Sequence, residues 1–106
     1  MTSRSVRKYL KDFAKRELKE KKAKEVHVRR VKMKSLMSRG KLPDMKIKGI
    51  KESRYLICVF HNNTLRIYQL NQNGEMMGAN EFSGEEKNPV REEINKETEI
   101  MFKFSK

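Results

Sequence analysis

The chain has 106 residues, with 26 Lys/Arg against 14 Asp/Glu, a formal net charge of +12 and a mean hydropathy of −0.91. This allows one small domain with a thin core. It leaves no run near the ~18 apolar residues of a membrane span and no apolar stretch behind the basic N-terminus that would make a secretory signal. A single cysteine, Cys58, lies in the most apolar run; it cannot form an internal disulfide and reads as a small buried hydrophobe, which fits a reducing, cytoplasmic setting.

The charge is segregated. Residues 1–51 hold 19 Lys/Arg and 5 Asp/Glu, whereas residues 52–106 hold 7 and 9. An excess confined to one half favours a polyanionic partner, nucleic acid first, over a merely solubilising surface.

Residues 3–22 predict a helix, because Val6, Leu10, Phe13, Ala14 and Leu18 recur at three- and four-residue spacing. Ser3 or Ser5 supplies an N-cap. Arg4, Arg7, Lys8, Lys11, Lys15, Arg16 and Lys19 fill most of the remaining circumference. Glu25 to Lys34 alternates with a slip: Val26 and Val28 share one face, while Val31 and Met33 are one residue out of phase. A bulge at Arg29-Arg30 would bring all four to one face and turn both arginines outward together. Ser35 to Asp44, with Gly40 between Arg39 and Lys41, predicts a basic loop, and Met45 to Ile50 alternates as a further strand.

Tyr55 to Phe60 is the one continuous apolar run; Leu65 to Leu70 follows after Asn62-Asn63, and Glu75 to Phe82 after Asn73-Gly74. The pattern predicts a three-stranded antiparallel meander with turns of positive φ. A two-residue first turn sets His61 opposite Thr64, Phe60 opposite Leu65, Cys58 opposite Ile67 and Tyr55 opposite Leu70. One face then carries Leu56, Cys58, Phe60, Leu65 and Ile67. The other carries Tyr55, Ile57, Val59, Arg66, Tyr68 and Leu70, with Met77, Ala79 and Glu81 beside them and Glu81 opposite Arg66. Both faces are apolar, so one helix is too little cover; the second face needs the C-terminal segment, a loop or another copy of the chain. Asn88-Pro89 predicts the start of a short helix to about Lys96. Glu97 to Phe104 predicts a last strand with Thr98, Ile100, Phe102 and Phe104 on one side.

The expected architecture is therefore α+β: a basic N-terminal helix on an antiparallel sheet of five or six strands, with a short helix before the last. Two histidines and one cysteine form no zinc pattern, the five glycines form no phosphate-cradling loop, and no cofactor is implied. Lys8, Lys11, Lys15, Arg16, Arg29, Arg30, Arg39 and Lys41 are the candidate phosphate contacts. Tyr55, Arg66, Tyr68 and Met77 form a candidate surface for base stacking or for an acidic protein partner such as a polymerase subunit. His27 and His61 are the one pair that could serve as acid and base of a metal-independent ribonuclease.

Ser53-Arg-Tyr-Leu56 with Asn62-Asn-Thr-Leu-Arg-Ile-Tyr-Gln-Leu-Asn-Gln-Asn-Gly74-Glu-Met resembles the central strands of the double-wing DNA-binding domain in the middle-gene transcription activator of T4-like phages. The resemblance implies an α+β unit whose curved sheet presents basic wings to duplex DNA. It does not extend to the family's winged-helix activation domain, and the basic lead-in here is longer. The expectation is a non-enzymatic protein of phage or mobile-element type that binds nucleic acid, duplex DNA before RNA, in transcription or nucleoid-level regulation.

Overall fold

A computed structural model describes residues 3–33 and 53–106 of the chain. Helix α1 (Arg4–Glu20) leads into β1 (Glu25–Val31), followed by β2 (Tyr55–Phe60), β3 (Thr64–Leu70), β4 (Met76–Ser83), a single 3-10 turn (Gly84–Glu86), α2 (Lys87–Glu97) and β5 (Thr98–Ser105). The strands form one antiparallel sheet in the order β4-β3-β2-β1-β5, with the apolar strand β2 at its centre. The predicted basic loop, with Arg39 and Lys41, and the predicted strand from Met45 to Ile50 lie outside the described residues.

Each face of the sheet has its own core. Leu10 and Ala14 of α1 pack with Val26, Val28, Tyr55, Ile57, Val59 and Leu70, and Phe13, Leu18, Phe102 and Phe104 close the rim. On the opposite face Val90 and Ile94 of α2 pack with Val31, Leu56, Cys58, Leu65 and Ile67. The Tyr55 face is thus covered by α1 and the Cys58 face by the C-terminal helix. Because a strand alternates its side chains, a β2 reading Tyr-Leu-Ile-Cys-Val-Phe feeds both cores at once.

The start of α1 follows the sequence: Ser3 accepts a hydrogen bond from the Val6 N–H at 3.2 Å. At its end Lys22 takes φ 56°, the only positive φ among the described non-glycine residues, and the Ala23 N–H reaches back to the Glu17 carbonyl. The register of the first hairpin is as predicted, from Phe60↔Leu65 to Tyr55↔Leu70, with the His61 N–H donating to the Thr64 carbonyl. Its turn is not: Asn62 and Asn63 keep negative φ. The second hairpin is a three-residue loop in which Gly74 alone has positive φ, 82°, and the Gly74 N–H donates to the Asn71 carbonyl. The Asn71 side chain accepts from the Asn73 and Glu75 N–H groups, so the local side chain selects the turn. A Cβ at Gly74 would stand 3.7 Å from both Val6 and Tyr9, which places this loop against the first turns of α1.

Four further expectations are corrected. β1 has no bulge: its pairing with β2 runs unbroken from Glu25↔Phe60 to Arg30↔Tyr55. The slip at Val31 is real, and the second core accounts for it, since Val31 packs under α2 while Val26 and Val28 pack under α1. The irregularity lies across the ladder, where β5 pairs Phe102 with Val28 but Ile100 with Arg29, leaving Met101 as the extra residue. Phe102 and Phe104 therefore face α1, whereas Thr98 and Ile100 fall on the other face, instead of all four sharing one. A second shift on β4, between Gly78 (opposite Gln69) and Met76 (opposite Leu70), leaves Met77 unpaired and exposed. Lastly, α2 begins before Asn88, because the 3-10 turn runs into it directly; Pro89 still falls in the first helical turn, where a missing N–H costs nothing.

Candidate nucleic-acid interface

Anchoring one apolar stripe on the sheet leaves the rest of α1 to its cations. Arg4, Lys8, Lys11, Lys15 and Lys19 follow one another at three- and four-residue steps, and Arg7 lies three from Arg4 and four from Lys11, so the six share one side of the helix. The ridge is about 25 Å long for 17 residues. Its inner border is built from aromatic rings of β5: Arg7 lies 4.9 Å and Lys11 4.6 Å from the centroid of Phe102, and Lys15 lies 6.0 Å from that of Phe104. These contacts hold the aliphatic stems against apolar surface while the charged heads stay in water. Arg16, on the other border, lies 5.6 Å from the Phe13 ring.

The ion pairs among the described residues are Arg30–Glu99, Arg66–Glu81 and Lys103–Glu25, and Glu25 is also hydrogen-bonded to His27. No cation of α1 takes part in them. From Arg4 to Lys24 there are ten Lys/Arg and three acids, whereas from Gly84 to Glu97, on the other face, three Lys/Arg meet five acids. The two helices thus give the slab a positive side and a mildly negative one.

Of the candidate phosphate contacts, Lys8, Lys11, Lys15 and Arg16 come together on α1. Arg29 and Arg30 do not join them, and with no bulge in β1 the two point to opposite faces. Arg30 is on the α1 face but bonds to Glu99 through Nε and Nη2. Arg29 is half-buried beneath α2, with Nη1 3.4 Å from Thr98 Oγ1. Arg39 and Lys41 lie outside the described residues. Arg4, Arg7 and Lys19, which are not among the candidate contacts, stand on the same helix exterior as Lys8 and Lys15 by the same spacing.

The stacking surface is divided. Tyr55 is only 3% exposed and belongs to the core under α1, so it offers no face to a base. Tyr68 is half-buried, with Phe13 edge-on at 5.0 Å and Arg66 5.8 Å from its ring. Arg66 also meets Glu81 at 3.4 Å, the cross-strand neighbour predicted for it. His61 lines a pocket beside Tyr68, Arg66 and Glu81 on the α1 face. His27 lies on the other face, opposite Cys58 in the β1–β2 ladder. The two imidazoles are thus separated by the sheet and do not converge on one phosphodiester.

Among the described residues no group of three His, Cys, Asp or Glu could hold a metal ion, and no helix is long and apolar enough to cross a membrane. No protein-family model, curated protein or solved structure matches the chain.

Proposed function

We propose that the protein binds nucleic acid, duplex DNA in preference to RNA, through the outer side of α1 and mainly through phosphate contacts, in a regulatory rather than a catalytic role. The observation that carries this reading is the ridge itself: six cations on one side of a helix, unpaired by carboxylates among the described residues, with three of them steadied by the rings of Phe102 and Phe104. A rigid row of cations releases condensed counterions when it meets a phosphate backbone, which gives affinity without sequence choice. The resemblance of residues 53–76 to a double-wing domain also supports DNA contact. In that family the wings carry the charge; here both hairpin tips, Asn62-Asn63 and Gln72-Asn73-Gly74, are uncharged, so the contact is assigned to the helix.

The test is a salt series with duplex DNA, single-stranded DNA and structured RNA. About five phosphate contacts give a slope of log K against log salt near −4.5, or roughly 500-fold weaker binding at 200 mM than at 50 mM. Replacing Lys8, Lys15 and Lys19 together by Gln should reduce that slope by about 2.7. Binding that is flat with salt, or a slope unmoved by the triple variant, would rule out the assignment.

A second reading, docking on an acidic protein, is favoured by the exposed methionines Met76 and Met77 on the edge strand β4. It requires that the partner be retained after nuclease treatment and lost on Met76→Ser, Met77→Ser substitution.

A further inference from the structure

Beneath α2, on the side of the sheet away from the cationic ridge, the ladder carries a second basic feature that the reading above does not use. His27 and Arg29 from β1, Phe60 from β2, and Arg91, Ile94 and Asn95 from α2 line a cavity of about 40 Å³. Room of that size holds on the order of three water-sized spheres. It is the scale of one tetrahedral oxyanion and too small for a base or a sugar.

The cavity's polar lining is unusual in what it leaves unpaired. Two side-chain nitrogens among the described residues are buried without a hydrogen-bond partner, His27 Nδ1 and Arg29 Nε, and both residues line the cavity. His27 is only 8% exposed. Native structures satisfy nearly all buried polar atoms, and buried charges are paired almost without exception. Arg29 has only the long contact from Nη1 to Thr98 Oγ1, and that hydroxyl already donates to the Ile94 carbonyl at 2.6 Å. Neither Arg29 nor Arg91 has a carboxylate among the ion pairs of the described residues. Glu25, the acid bonded to His27, is engaged by His27 Nε2 at 2.8 Å and by Lys103 Nζ at 3.2 Å. The Phe60 ring fixes the geometry of the rest, with His27 tilted against it at 4.7 Å and the Arg91 guanidinium 5.1 Å from its centroid.

We propose that this cleft between β1 and α2 is a binding site for a single phosphate-type oxyanion, held by Arg29 and Arg91 with His27 and Asn95 completing the shell. Two guanidinium groups lining one small cavity, neither paired with a carboxylate among the described residues, suit the fork geometry in which arginine binds phosphate. The electrostatics agree. Burial depresses the pKa of Arg29, and the nearby Arg91 depresses it further. The neighbouring Cys58 thiol is pushed up to about 12 by its own burial, so it stays neutral and supplies no counter-charge. With His27 Nε2–H donating to Glu25, Nδ1 can donate to the anion only in the protonated ring. Burial, Arg29 and Lys103 now disfavour that form and Glu25 favours it; Arg91 faces the same cavity. Binding the anion therefore draws a proton onto His27.

The test is NMR of the full chain, titrated with inorganic phosphate in place of chloride at constant ionic strength. The Arg29 Nε–Hε and His27 ring resonances should move saturably, and His27 should shift toward its protonated form. Arg91→Gln, at an exposed helix position, should weaken the response at least tenfold without unfolding the protein. Arg29→Met should abolish it. A parallel arm compares 5′-phosphorylated with 5′-hydroxyl oligonucleotides of one sequence. A response confined to the phosphorylated strand identifies the ligand as a nucleic-acid terminus, and a response to inorganic phosphate identifies a free oxyanion. The triple variant of Lys8, Lys15 and Lys19 should keep the phosphate response, so loss of the helix interface and loss of this site are separable. A change that is linear to high concentration, equal with chloride, or unaltered in Arg91→Gln overturns the proposal.

Discussion

Leu10 is the residue whose truncation most directly tests how α1 is held. Its side chain is wholly inaccessible to solvent, in a cluster with Ala14, Val26, Val28, Tyr55, Ile57 and Leu70. Leu10→Ala removes three carbons from the middle of the helix–sheet seam. The sheet beneath is a rigid five-stranded ladder, so the gap cannot collapse, and the loss should be about 3 kcal/mol. For a domain of about 100 residues this lowers the melting temperature by roughly 12–15 °C. Thermal unfolding by circular dichroism measures the shift, and urea unfolding with an unchanged slope checks that the transition remains two-state. Leu18→Ala is the internal comparison: Leu18 is half-buried at the rim, and its loss should cost about 1 kcal/mol. Because α1 carries the cationic ridge, Leu10→Ala should also weaken nucleic-acid binding near its lowered melting temperature while leaving the salt slope intact. A fall of less than about 5 °C for Leu10→Ala, or equal falls for both variants, would mean that α1 is not seated on this face.

Lys22→Gly should raise stability by about 0.5–1 kcal/mol, seen as a higher urea midpoint, because Lys22 holds a left-handed φ of 56° that glycine adopts freely. Acidification in phosphate-free buffer should destabilise the protein in two stages. The folded-state pKa of His27 lies below its ordinary 6.5, chiefly through burial, so stability is full above about that pH and declines below it as only the unfolded chain takes the proton; Glu25, held below its ordinary 4.5 first by the hydrogen bond to His27, adds a loss at lower pH. His27→Gln should flatten the upper stage, and a urea midpoint that still falls with the same slope below pH 6.5 would contradict this account.

The local features with strong grammar were legible in the sequence: the Ser3 cap, the apolar stripe of α1, and the register from Phe60↔Leu65 to Tyr55↔Leu70 with Glu81 opposite Arg66. The misreadings share one physical origin. A bulge in β1 would put Val26, Val28, Val31 and Met33 on one face although both faces of the sheet are apolar, and Val31 belongs to the second core. The same assumption placed Thr98 and Ile100 beside Phe102, because an irregularity in β5 leaves no mark in its residues beyond one more apolar side chain, Met101. Turn chemistry was read from Asn-Asn as though it required positive φ, yet at Asn71 the hydrogen bonds of the side chain decide the loop. In the candidate interface the helix cations were legible from spacing. The burial of Tyr55 depended on which face α1 covers, and the separation of Arg29 from Arg30 on β1 running without a bulge, so that plain alternation sends them to opposite faces.

The same topology gives the two basic features their different chemistry. β5 adds to β1, placing Phe102 and Phe104 under one flank of α1, where they support cations that remain in water. On the reverse of β1, Arg29 stands between Thr98 and the α2 side chains Arg91 and Asn95, half-buried and without a carboxylate partner among the described residues. Exposed cations on a ridge suit an extended polyanion, whose many weak contacts are individually screened by salt. A half-buried guanidinium in a small cavity suits one compact anion, because there the dielectric is lower and each hydrogen bond is worth more. Salt should therefore separate the two: binding at the ridge should weaken steeply as salt rises, and binding in the cleft should respond mainly to ions that compete for the same cavity.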